Sequence, residues 1–333
     1  MTEETEVTQR TDLTVAIAVL TYRRPAELAS CLPLVAAHVA ASLTAVANRR
    51  LVPNILVVDN DPAGSARSVI DSMRLDPRIA LQYVVEPTPG IAAARNRALS
   101  EAGDAEILVF LDDDERPTPS WLVPLIETWQ HSGAAAVMGR VLSVFETELD
   151  PWVAAGEFFR RRRLATGTEI AVGAAGNLLL DLLQVRRLNV QFDERLGLGA
   201  GEDSLFTTQL VERGGRVVWC DESVATDHVP AERMTRRWVL ERARSHGNTE
   251  TVVDLLLAQS PWQRRSRRVR AAVRGSIRVG AGAARFTIGV LSGSLRHQAR
   301  GLRTVFRGRG IAAGAWGIAV KEYAREPEVV AHA

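Results

Sequence analysis

Residues 107–122 read ILVFLDDDERPTPSWL. Five apolar residues run without interruption into three aspartates and a glutamate. Such a run, closed by a polar turn, fits a strand buried on both faces of a sheet. The aspartates then fall at the strand's carboxyl end. Neighbouring carboxylates repel one another, and a divalent cation relieves the repulsion. Mg2+ or Mn2+ prefers oxygen donors and typically shares one or two carboxylates with substrate phosphates. Asp112 and Asp114 are the candidate metal ligands. Asp113 either faces a bound substrate or shapes the turn. The competing reading is a solvated acidic turn.

Working outward, strands are predicted over 14–20 (TVAIAVL), 54–58 (NILVV), 79–85 and 134–144. Helical spacing covers 25–43, 65–74, 90–102 and 119–130, and Pro25 suits a first helical turn. Strands alternating with helices imply a mostly parallel, doubly wound α/β sheet. Right-handed crossovers bring the turns after the strands to one edge, where such sheets bind ligands. Those turns carry Thr21-Tyr22-Arg23-Arg24, Asp59-Asn60-Asp61 and the acidic run 112–115. Their convergence is the physical argument for a site.

Further on, 146–168 is irregular and contains Arg160–Arg163, which reads as a solvated or lid segment. Residues 202–213 are helical, with Gly214-Gly215 as a stop, and 216–220 form a strand. From 231 the pattern is helical, with a break near Ser260-Pro261. Ile277, Ala281, Ala284, Ile288, Leu291 and Leu295 repeat at helical spacing, although the five glycines between 275 and 293 weaken a helix there. From Arg264 onward there are 15 Lys/Arg and 3 Asp/Glu, a net of +12, against an overall +2. An acidic body thus precedes a basic tail, which suggests an anionic partner, either a membrane surface or nucleic acid. A basic amphipathic helix suits the membrane, and no nucleic acid is expected. The alternative is a solvated basic helix pair. Residues 1–11 are acidic and polar, with no signal-peptide core. No apolar run reaches the length of a spanning helix. Cys31 and Cys220 lack metal-type spacing and read as reduced packing residues. Lys321 is the only lysine.

The chain resembles family 2 glycosyltransferases with a GT-A fold. The resemblance covers roughly 14–248 and rests on TVAIAVLTYRRP, ILVVDND, TPGIAAARNRAL, ILVFLDDDERPTPSWL, GNLLL, FDERLGLGAGEDSLF and DHVPAER in that order. It implies that Thr21, Tyr22 and Arg23 cup a nucleoside and that Asp59 contacts its base or ribose. Gly90 and Arg95 match a segment bordering the nucleotide. Asp112 and Asp114 match the ends of a DxD element holding Mn2+ or Mg2+ on the sugar-nucleotide diphosphate. Asp203 matches the catalytic base of inverting members, with Glu202 as the alternative. His228 matches a position able to supply a third metal ligand, or is a structural histidine. Arg236-Arg237-Trp238 resembles part of an element of processive members, but the full pattern is absent.

The expectation is a Rossmann-like, mixed-sheet GT-A catalytic domain over 1–230 and a helical, basic extension over 231–333. It moves a sugar from an NDP-sugar to a saccharide or lipid-linked acceptor hydroxyl with inversion, in the cytoplasm or peripherally on the membrane's cytoplasmic face. A sugar nucleotidyltransferase would carry a glycine-rich signature after the first strand, which Thr21–Pro25 lacks. A dehydrogenase would need Gly-x-Gly-x-x-Gly there. A non-catalytic sugar-nucleotide binder or assembly subunit is the remaining rival.

Overall fold

A computed structural model describes residues 11–46, 49–196 and 199–318. The polar start, residues 1–10, and Lys321 lie outside the described residues.

Eight strands form one sheet in the order β3-β2-β1-β4-β7-β6-β8-β5. They are β1 (Thr11–Thr21), β2 (Arg49–Asp59), β3 (Ala80–Val85), β4 (Ile107–Asp112), β5 (Glu115–Pro117), β6 (Ala136–Phe145), β7 (Leu178–Asp181) and β8 (Val217–Val229). The first four pair in parallel. β7 runs antiparallel to β4 and β6, and β5 antiparallel to β8. The sheet is therefore mixed. The predicted parallel half is present, while β5 and β7 were not predicted as strands. β8 also runs nine residues beyond the predicted 216–220.

Alternation explains the continuous apolar strands. Val15, Ile17 and Val19 enter one core layer with Ile107, Val109 and Leu111. Ala16, Ala18 and Leu20 enter the other with Leu108 and Phe110. The first layer is roofed by α1 (Pro25–Ser42), the short α2 (Arg67–Ser72) and α4 (Leu122–Ser132). The second is roofed by α3 (Ile91–Glu101), α6 (Leu182–Arg187) and α7 (Glu202–Glu212), and the short α5 (Pro151–Gly156) follows β6. Both faces are covered, so polar side chains enter only at strand ends. α1 alone among the described helices is long and apolar enough to cross a membrane, yet its apolar side packs into the core. Cys31 and Cys220 are free and buried, as expected of packing residues.

The last 80 or so described residues are helical: α8 (Arg236–Leu256), α9 (Pro261–Leu291) and α10 (Leu295–Ala315). Ser260 caps α9 through Gln263 N, with Pro261 at the first helical position. The glycines do not break this 31-residue helix. Gly275, Gly282 and Gly289 recur every seven residues on the side facing α10. A Cβ on Gly275 would stand 2.8 Å from Gly308 O, and one on Gly282 2.7 Å from Val305 N. The two backbones touch, and no larger residue fits between them. Close packing here outweighs low helix propensity, so the expected weakness of this helix is corrected.

The segment 157–168 is neither free nor merely solvated. Arg160 pairs with Glu157, Arg161 with Asp227 and Arg163 with Asp221, while Arg162 donates to Val172 O. Arg161 and Arg163 strap this loop onto β8.

Candidate active site

The register of the parallel strands sets the site. Thr21 pairs with Asp59 across β1 and β2, Asp59 with Val85 across β2 and β3, and Leu20 with Asp112 across β1 and β4. Thr21, Asp59 and Asp112 thus end adjacent strands at one edge, as the topology argument required.

Alternation then splits the aspartates. Asp112 continues the face of Leu108 and Phe110, towards α3 and α7. Its carboxylate lies 3.8 Å from Arg95 of α3 and remains 41% exposed. Desolvation at the crevice floor pushes it up to about 6. Arg95 opposes this, and Asp114, Asp203 and Asp227 add to it. Asp113 points to the α1 side and is buried. Its Oδ2 accepts from Thr21 Oγ1 at 2.8 Å and its Oδ1 from Arg24 at 3.1 Å. Burial pushes Asp113 up to about 6 against the pull of Arg24 and Thr21. Of its two expected roles, facing a substrate or shaping the turn, these contacts fit the second. Asp114 is held by Arg24 at 3.2 Å and by Arg233 at 3.5 Å.

Beneath the turn lies Glu115, fully surrounded, with its pKa driven well above the carboxylate range by burial and then by Asp112 and Asp114. It accepts from Asp112 N at 3.3 Å. A Cβ on Gly176 would lie on Glu115 Oε1 and 3.2 Å from the carboxyl carbon. Gly176→Ala is expected to shift Glu115, loosen the Asp112 turn and cost about 1–3 kcal/mol in denaturant unfolding. An unchanged unfolding midpoint would show that the carboxyl is not confined.

Arg95 is buried, paired with Glu202 of α7 and stacked 5.5 Å from the Phe192 ring. Glu202 is buried too, and its Oε2 lacks a hydrogen-bond partner among the described residues. Burial pushes Glu202 up, and Arg95 opposes it. The next residue, Asp203, is half-buried at the start of α7. It accepts from Ser204 N at 2.6 Å and is close enough to raise Asp112. Gly201 precedes them at φ 103°, where a Cβ would also strike Thr249. Only glycine suits that helix entry.

Three expected site residues engage other partners in this structure. Asp59 is fully buried, and its oxygens accept from Asp61 N, Ala66 N and Tyr83 OH. These contacts fold the loop after β2 and engage both carboxylate oxygens. His228 is exposed on β8 with Thr226 as its neighbour at 3.5 Å. Asp227, one residue earlier and pairing with Glu115 across β5 and β8, is the β8 side chain that raises Asp112. Alternation turns His228 away from that side. No cluster of three His, Cys, Asp or Glu suited to a metal occurs among the described residues. Arg95 borders the crevice, where it is held by Glu202 and lies 3.8 Å from Asp112.

Other expected residues do gather. Tyr22 is half-buried with the Arg23 guanidinium 5.3 Å from its ring centre, and Arg23 lies 3.4 Å from Asp61. Arg23 holds φ 53°, a conformation rare outside glycine. Gly90 begins α3 at φ 126° and donates to Asn60 Oδ1 at 3.0 Å. The reading of the sequence missed Arg24, Arg233 and Asp227 as site residues. All three lie inside stretches quoted above, Arg24 in TVAIAVLTYRRP and Asp227 and Arg233 in DHVPAER, and only tertiary contact reveals their part.

Fold and crevice together are those of a GT-A glycosyltransferase. The family described as Glycosyl transferase family 2 matches residues 17–181. Succinoglycan biosynthesis protein ExoM of Rhizobium meliloti is 33% identical over 237 residues, covering 71% of this chain and 74% of the relative. Among solved structures, S. aureus TarS residues 1–349 in complex with UDP-GlcNAc superposes at TM-score 0.51 and 11% identity, covering 88% of this chain and 91% of that one. GalNAc-T7 with UDP, GalNAc and Mn2+ gives 0.50 at 13% identity, covering 73% and 50%. At those identities the likeness is one of fold. The chain belongs to glycosyl transferase family 2.

Proposed function

We propose that this enzyme transfers a sugar from an NDP-sugar to an acceptor hydroxyl with inversion, in cell-envelope polysaccharide synthesis. The observation that carries the reading is the opposition of Asp112 and Asp114, at the end of β4, to Asp203, at the start of α7. The acceptor class follows the succinoglycan role in the name of the relative. UDP and UDP-GlcNAc in the names of the fold neighbours are consistent with an NDP-sugar donor.

Asp203 takes the proton of the attacking hydroxyl. The acceptor oxygen bonds to the anomeric carbon from the face opposite the diphosphate. The bond from that carbon to the phosphate oxygen breaks, and NDP leaves with the electron pair. Thr21, Tyr22 and Arg23 wall the nucleoside side. Arg24 and Arg233, now on Asp114, are placed to meet diphosphate oxygens.

Asp112 and Asp114 offer hard oxygen donors that reach the crevice, which fits Mn2+ or Mg2+ completed by diphosphate oxygens rather than by His228. Such an ion would neutralise charge on the leaving group. EDTA is expected to abolish turnover and Mn2+ or Mg2+ to restore it. Asp114→Ala is expected to lose roughly 100-fold or more in kcat/KM, as for other electrostatic groups. Full activity of that variant, or in EDTA, sinks the metal role.

The catalytic unit is read as ending near residue 230, with the helical extension beyond it. The extension's charge supports a peripheral place at the cytoplasmic face of a membrane, where a lipid-linked saccharide would be met. Incubating the protein with a panel of UDP-, GDP- and dTDP-sugars and a lipid-linked saccharide fraction tests the reading. Absence of NDP release and of labelled product with every donor counts against it.

A further inference from the structure

We infer that α9 is an in-plane membrane anchor that seats on an anionic bilayer through one apolar stripe. α9 packs chiefly on α10 and, to a lesser extent, on α8. Its packed side is the row of Ala271, Gly275, Gly282 and Gly289. The opposite side carries Trp262, Val269, Val273, Ile277, Ile288 and Leu291, all more than half exposed.

The spacing of these residues places them on one face. At 100° per residue they fall within about 60° of Val273 on either side, and Ser266, Ser276, Gly280, Ala284 and Thr287 fill the gaps. Along about 44 Å of helix the one charged residue of α9 within those bounds is Arg270, at the same edge, about 60° out, as Ile288. Arg265 and Arg270 border it. An exposed apolar stripe of this length is unusual on a protein that meets only water.

Charge selects the occupant. Residues 264–318 contain 13 arginines and no Asp or Glu. A second copy would bring the same positive rim to the same stripe and be repelled. A nucleic acid would use the arginines but leave the apolar stripe in water. An anionic bilayer satisfies both, taking apolar side chains between acyl chains and guanidinium groups among phosphates. This deepens the proposed envelope role, but it is read on vesicles without sugar transfer, so either can fail alone.

The test is flotation of the full chain with vesicles of phosphatidylcholine, alone or equimolar with phosphatidylglycerol. Binding is expected only with phosphatidylglycerol present, and to weaken in high salt. The V273D/I277D variant is expected to bind about tenfold or more weakly, as two apolar side chains no longer leave water. Both positions are exposed, so its circular dichroism and NDP-sugar turnover in detergent-free buffer are expected to match those of the parent. Three results would overturn the proposal: no flotation, flotation that survives V273D/I277D, or a dimer dissociated by V273D/I277D without vesicle binding. Tight binding of an oligonucleotide in place of vesicles would overturn it too.

Discussion

Asp203→Asn is expected to cut kcat by about 100- to 10,000-fold, the range over which a positioned general base acts. The substitution keeps size and shape. Asn Oδ1 can still accept from Ser204 N, as Asp203 Oδ1 does at 2.6 Å. Folding and donor binding should therefore survive, and NDP-sugar affinity by calorimetry should stay near that of the parent. The neighbour cannot replace it. Glu202 is 3% exposed and committed to Arg95, so an acceptor hydroxyl cannot reach it. Glu202→Gln is accordingly expected to retain far more turnover than Asp203→Asn. If the two variants reversed that order, Glu202 would be the base. If both kept most of the activity, the base would lie elsewhere.

That distinction was not available in the sequence, where Glu202 and Asp203 are adjacent acids at a helix start. Burial separates them. The parallel half of the sheet was legible because both its faces are covered, which leaves β1, β2 and β4 as unbroken apolar runs. β7 was hidden because Leu178–Asp181 spans four residues and merges into the next helix at Asp181. The second half of β8 carries Asp221, Glu222, Asp227 and His228, and its register against β6 shifts at Gly139/Arg140. A bulge spoils the period on which strand reading depends. The crevice was legible as a set of strand ends, since order and crossover handedness fix where these fall. Which carboxylate reaches it was not. Asp59 and Asp112 look alike as acids after apolar runs, yet one is spent on backbone amides and the other stays open. Arg24 and Arg233 approach Asp114 from segments 90 and 119 residues away, a pairing no local pattern encodes.

Breaking the Arg95–Glu202 pair from one side is expected to give the largest loss of stability, about 3–5 kcal/mol for Arg95→Met or for Glu202→Leu. Both side chains are under 10% exposed. Removing either leaves the other charge in a site lined by Phe192 and closed by α3 and α7. Glu202 already has one oxygen without a partner, so nothing nearby takes over from Arg95. The double variant R95M/E202L removes both charges and fills much of the space with apolar atoms. Its stability is expected to recover most of the loss, since buried pairs replaced whole are often neutral or better. Turnover should not recover with it. Arg95 also stands 3.8 Å from Asp112, and without it this carboxylate loses the charge that holds it ionised. Chemical denaturation and steady-state kinetics on the parent, both single variants and the double variant therefore give two different cycles. Stability should show strong coupling between positions 95 and 202. The activity of R95M/E202L should stay as low as that of Arg95→Met. Additive losses of stability would mean that the pair is not closed off from water. Activity restored in the double variant would mean that Arg95 serves Glu202 alone and has no hold on Asp112.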